Sequence, residues 1–342
     1  MGLTDRRRAI VLFGDSLTQR GWEPNGWGAA LAHAYGRSCD VYNRGYGGYN
    51  TRWCRHMLPH LFPATESPLL VTVLLGTNDA ALADVEPSAH VPLEEYAENL
   101  AAIVEHVKRR AARVVLISPP CMDEIGRMAH QRVKYGEKAA GRLDRTNANT
   151  ARYAEAARTV AADANVPFVD LFAITRDAMA ELEDASFGGM GDDGDSDDDG
   201  GSFSASVASP AAALAFPAHR SIFEDGIHFD ARGQHAVFDA VMRTVGAFDD
   251  LRTALDPERL RPDWPWGPEM REGAASAWRE KFAAHEDAAR REERARRREL
   301  EWKGGVGLGR TWRDGAMACG LGLAIGAAVG VMAGRALATT RG

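Results

Sequence analysis

The strand-like run "IVLF" ends at Phe13 and is followed at once by Gly14-Asp15-Ser16. A serine hydroxyl set at the end of a buried strand can act as a nucleophile if a base takes its proton. The histidine best placed in the sequence to do so is His228 in "DGIHFDARG", because Asp225 precedes it by three positions, close enough to hold its ring. Two further turns carry groups able to donate hydrogen bonds to a developing oxyanion. "NRGYGGYNT" has glycines at 45, 47 and 48, and "GTND" offers the amide of Asn78 beside Asp79. Taken singly, each turn also has a plain structural use. Asp15, Ser16 and Thr18 suit a helix N-cap, Asn78 and Asp79 an Asx turn, and Gly48 a positive φ. Together they hold a nucleophile, a base, a group to orient that base and oxyanion donors.

Such groups work only if one scaffold brings them together. Short apolar runs predict buried strands at Ala9–Phe13, Asp40–Tyr42, Leu69–Leu75, Val114–Ile117 and Phe168–Asp170. Between them, "LEEYAENLAAIVEHVKRR" places Leu93, Tyr96, Ala97, Leu100, Ile103, Val104 and Val107 on one helical face. "RTNANTARYAEAARTVAADAN" is a second helix, and an amphipathic helix following His228 ends near Ala247. Alternating strands and helices predict an α/β protein with a parallel sheet covered on both faces. In such sheets ligands sit beyond the carboxyl ends of the strands, and four such turns at one rim would converge on one site.

The four turns resemble the sequence blocks of the SGNH hydrolases, the GDSL esterases and lipases. "GDSLTQ", "NRGYGGYNTR", "LGTND" and "DGIHFDARG" match those blocks in order. "NRGYGGYNTRW", "VPLEEYAENLAAIVEHVK", "VLISPPCMDE", "VPFVDLF" and "RPDWPW" resemble the isoamyl acetate-hydrolysing esterase branch. The likeness runs from about Arg8 to Glu269. It implies a flavodoxin-like three-layer α/β/α sandwich, with Ser16 as nucleophile, His228 as general base and then acid, and Asp225 fixing the His228 tautomer. It further implies an oxyanion hole from the Ser16 and Gly48 N–H groups and the Asn78 side chain, and no metal or organic cofactor. The expected substrate is a small carboxylic ester of acetate type. Two rival readings are a lysophospholipase or thioesterase held at a membrane, and an inactive membrane-anchored interaction module. The intact set Ser16, Gly48, Asn78, Asp225 and His228 argues against the last.

The 342 residues divide into a hydrolase domain over 1–270, a charged helical linker over 271–303 and a glycine-rich tail over 304–342. The composition, 45% hydrophobic and 26% charged, supports a full core, and the net charge of −7 offers nucleic acid no attraction. Acid is concentrated in a low-complexity stretch at 183–210, read as a disordered insertion. Within it Asp195, Asp197, Asp199 and Gly200 imitate the start of an EF-hand loop, but Ser206 stands where the closing glutamate is needed. Cys39, Cys54, Cys121 and Cys319 form no C-x-x-C pair, which argues against zinc and for reduced packing cysteines. The uncharged stretch 315–334 would span about 30 Å as a helix. Gly322, Gly326, Gly330 and Gly334 make a small-residue stripe suited to helix self-association. Base between Arg290 and Arg298 precedes it, so the expectation is a cytosolic catalytic domain, tail-anchored in an intracellular membrane.

Overall fold

The computed structural model describes residues 7–63, 65–136, 141–187, 221–249, 255 and scattered positions from 280 to 298. Five strands form one parallel sheet in the order β2-β1-β3-β4-β5. They are β1 (Arg8–Gly14), β2 (Cys39–Gly45), β3 (Leu70–Leu74), β4 (Val114–Ile117) and β5 (Phe168–Val169). The strands match the apolar runs because a parallel strand covered on both faces must be apolar on both. The departures are small: β2 runs three residues past Tyr42, to Gly45, through polar residues that pair with the end of β1.

Alternate residues of each strand enter two separate cores. Ile10 and Leu12 join Leu70, Leu74, Val115 and Ile117 on one face. That face is covered by α2 (Trp27–Ala34), α7 (Leu171–Phe187) and α8 (Ala231–Ala247), which supply among others Trp27, Leu171 and Val241. Val11 and Phe13 join Val71, Val73 and Leu116 on the other face, under α3 (Thr51–Leu61), α4 (Leu93–Lys108) and α6 (Asn147–Asp163). Leu100, Ile103, Val104 and Val107 of α4 are buried there, as the helical spacing requires. The arrangement is a three-layer α/β/α sandwich of flavodoxin-like strand order. Two short elements complete it near the site: α1 (Ser16–Gln19), which follows β1, and α5 (Glu124–Tyr135), which follows β4.

Helix α7 continues to Phe187, past the start of the insertion read from sequence at 183. No glycine or proline interrupts the chain before Gly188, so nothing local stops the helix earlier. The acidic residues that follow, the EF-hand-like stretch, Cys319 and the tail at 315–334 lie outside the described residues. Cys39, Cys54 and Cys121 are buried and unbridged. The chain divides into two compact units, Met1–Trp266 and Gly267–Gly342. In the second, the described positions from 280 to 298 are all helical. Among the described residues no helix is long and apolar enough to cross a membrane. None of their His, Cys, Asp and Glu side chains gather in groups of three able to hold a metal ion.

Candidate active site

Ser16 is the first residue of α1, whose N-cap Asp15 accepts from the Leu17 N–H at 2.9 Å. The cap turns the chain sharply off β1 and leaves the Ser16 hydroxyl half-exposed at the sheet rim. Its Oγ lies 2.9 Å from His228 Nε2. His228 Nδ1 lies 2.8 Å from Asp225 Oδ2, while Asp225 Oδ1 accepts from the N–H groups of Ile227 and His228. Burial pushes the Asp225 carboxyl up, but these hydrogen bonds from His228 and Ile227 prevail and hold it well below the usual carboxylate range. An ionised Asp225 oxygen fixes the proton of His228 on Nδ1 and leaves Nε2 free to accept from the serine.

The loop carrying this pair is a tight hairpin. Phe223 and Phe229 form an antiparallel bridge, and their rings stack with centroids 5.3 Å apart. The Glu224 N–H donates to the His228 carbonyl at 2.8 Å, and the Asp123 N–H donates to the Gly226 carbonyl at 2.9 Å. Gly226 has φ +85°, and a Cβ there would fall 2.3 Å from the Arg127 backbone nitrogen. Only glycine allows the loop to sit this close to α5.

The turns after β2 and β3 lie at the same rim. The Tyr46 N–H donates to the Gly14 carbonyl at 2.9 Å, and the Gly47 N–H donates to Gln19 Oε1 at 2.7 Å. A Cβ on Gly47 would lie 3.7 Å from Ser16 Cβ, so this loop runs directly beside the serine. Gly48 takes φ +79° with open space where a Cβ would be. Asn78 is buried and donates from Nδ2 to the Tyr49 carbonyl at 2.9 Å. Asp79 does not cap the next helix as an Asx turn would. It accepts from the Thr51 N–H and hydroxyl and so ties the β3 turn to the start of α3. All five residues singled out from sequence thus meet at one rim, Ser16, His228 and Asp225 through direct hydrogen bonds, Gly48 and Asn78 through the loop that borders Ser16.

Other residues of the site were missed by sequence reasoning. Gln19 clamps the glycine loop. Arg145 donates to the Thr77 carbonyl at 2.7 Å and to Asn78 Oδ1 at 3.0 Å. Arg145 also pairs with Asp144, which Arg127 of α5 holds from the other side. No motif or spacing announces these contacts. The only available signal is the presence of charged residues within the well-patterned stretch before α6. Asp15 is fully buried, which pushes its carboxyl up to about 7, and burial pushes Asp79 up to about 6.

The family and relatives that match the chain place it among the carboxylic ester hydrolases. The chain belongs to the GDSL-like lipase/acylhydrolase family, whose model matches residues 12–236. A GDSL esterase/lipase of Arabidopsis thaliana is 36% identical over 265 residues, covering 76% of this chain and 92% of that protein. The human isoamyl acetate-hydrolyzing esterase 1 homolog is 41% identical over 176 residues, covering 50% of this chain and 69% of that protein. Among solved structures, an acetylxylan esterase of Geobacillus stearothermophilus, in a catalytic mutant form, aligns with a TM-score of 0.46 at 18% identity. That alignment covers 70% of this chain and 94% of the solved one.

Proposed function

We propose that the protein is a serine esterase that hydrolyses small carboxylic esters of acetate type through Ser16, His228 and Asp225. The observation that carries the reading is the unbroken line of hydrogen bonds from the Ser16 hydroxyl through both nitrogens of His228 to Asp225. His228 Nε2 takes the Ser16 proton as Oγ attacks the ester carbonyl. The carbonyl oxygen gains charge and is met by the N–H groups of Ser16 and Gly48 and by the Asn78 amide, the last worth about 3 kcal/mol. The imidazolium, stabilised by Asp225, returns its proton to the alcohol as the ester C–O bond breaks. Water then repeats the sequence on the acyl-serine and releases the acid. The name of the human relative, an isoamyl acetate-hydrolyzing esterase homolog, supports acetate as the acyl group.

A fluorophosphonate probe tests the assignment. One adduct is expected, on Ser16, and none in Ser16→Ala; labelling that survives the substitution would overturn it. The lysophospholipase or thioesterase reading is separated by a chain-length series of p-nitrophenyl esters, since activity rising steadily from acetate to palmitate would favour it. Residues 315–334 are proposed to tether the enzyme to a membrane with its catalytic domain cytosolic, and the Gly322–Gly334 stripe to pair two such tails. Both rest on sequence pattern alone.

A further inference from the structure

The Asn78 amide can serve an oxyanion only if its nitrogen, not its oxygen, faces the reacting carbonyl. Nothing in asparagine itself decides this, since the two ends of the amide are nearly the same size. Here two neighbours decide it. The Tyr49 carbonyl accepts from Nδ2 at 2.9 Å, and a guanidinium nitrogen of Arg145 donates to Oδ1 at 3.0 Å. A flipped amide would set oxygen against oxygen and N–H against N–H. The second Nδ2 hydrogen is left without a protein acceptor among the described residues.

We propose that Arg145 is a positioning residue for the oxyanion donor Asn78, and that Asp144 and Arg127 brace it against the loop of Asp225 and His228. The inference rests on the reading of Asn78 as that donor. Arg145 is buried, and each arm of its fork is used: Nε on the Thr77 carbonyl at 2.7 Å, one Nη on Asn78 and the other on Asp144 at 2.6 Å. Arg127 holds the same carboxylate through Nε at 3.0 Å and Nη2 at 2.5 Å. The Arg127 backbone in turn lies against Gly226, between Asp225 and His228 in sequence. A buried Arg-Asp-Arg group costs more to desolvate than apolar packing of the same size. Its cost is met here by a fork that spans two consecutive residues of the oxyanion turn. The guanidinium also draws electron density from Oδ1 and makes the free N–H a stronger donor.

Lysine keeps the charge that faces Asp144 but cannot reach Thr77 and Asn78 together. The test therefore uses full-length Arg145→Lys, Asn78→Ala and the double variant, with kcat on p-nitrophenyl acetate counted per fluorophosphonate-titrated site. Counting by titrated site removes any misfolded fraction. Arg145→Lys is expected to lose about 10- to 100-fold in kcat with KM within about twofold. The double variant is expected to be no slower than Asn78→Ala alone. An unchanged kcat in Arg145→Lys, or losses that multiply in the double variant, would overturn the inference while leaving Asn78 as donor. An unchanged kcat in Asn78→Ala would overturn the reading of Asn78 and this inference with it.

Discussion

At the scale of single residues, the site sets carboxylates of opposite behaviour within electrostatic reach of one imidazole. Asp225 receives three hydrogen bonds and stays ionised. In Asp225→Asn, an amide oxygen kept on the two backbone donors turns the amide nitrogen toward His228 Nδ1. The ring must then carry its proton on Nε2, where it cannot accept from Ser16. A fall in kcat of about 10⁴ is expected, with the fold intact by circular dichroism; a fall below about tenfold would show that Asp225 does not set the tautomer. Asp15 behaves in the opposite way. It is fully buried, its second oxygen has no hydrogen-bond partner among the described residues, and its carboxyl is pushed up to about 7 from 3.8. The folded protein therefore holds a proton there that the unfolded chain releases between these two values. The stability this contributes is complete below the unfolded value and is lost as pH rises through the folded one. Asp15→Asn carries no such charge, so its Tm relative to the parent is expected to rise from pH 5 to pH 8. A difference that is flat across that window would mean Asp15 does not titrate there.

At the scale of elements, β1, β3 and β4 were readable because they are apolar along most of their length, and the helices because their apolar faces recur at helical spacing. The site was readable to the extent that it lies in turns. Ser16, Gly48, Asn78 and the Asp225–His228 pair stand where a strand stops or a tight loop begins, and there polar residues and glycines need a reason. Arg127, Asp144 and Arg145 were not readable, because their meaning lies in contacts between segments that share no spacing: Arg145 meets Asn78 across 67 positions. Asp79 was readable as a turn residue but not as a tie to Thr51, for the same reason. Glycine separates conformation from contact. Gly48 and Gly226 both have positive φ, but a Cβ at Gly48 meets open space while one at Gly226 strikes the Arg127 backbone. Strain alone costs about 1 kcal/mol at such positions. Gly226→Ala must also push the hairpin of Asp225 and His228 off α5. Its Tm is expected to fall clearly further than that of Gly48→Ala, and equal losses would show that the hairpin yields freely.

At the scale of the whole molecule, the proposed catalytic residues all fall within Met1–Trp266, and the family match ends at 236. The second unit brings features the chemistry does not use: the base between Arg290 and Arg298 and the uncharged stretch at 315–334. We propose that these act in sequence on a bilayer. Arginines are drawn to an anionic surface, an attraction that salt screens, whereas an inserted apolar helix holds regardless of salt. Truncation after Trp302 keeps the first and removes the second. The truncated enzyme is expected to retain kcat on p-nitrophenyl acetate within about twofold of the full chain. In vesicle flotation at high salt it is expected to stay with the soluble fraction while the full chain floats. A full-length protein that remains soluble under those conditions would sink the tether. A truncated protein that is soluble but inactive would show instead that the tail serves the site, since the hydrolytic groups themselves are left whole by the cut.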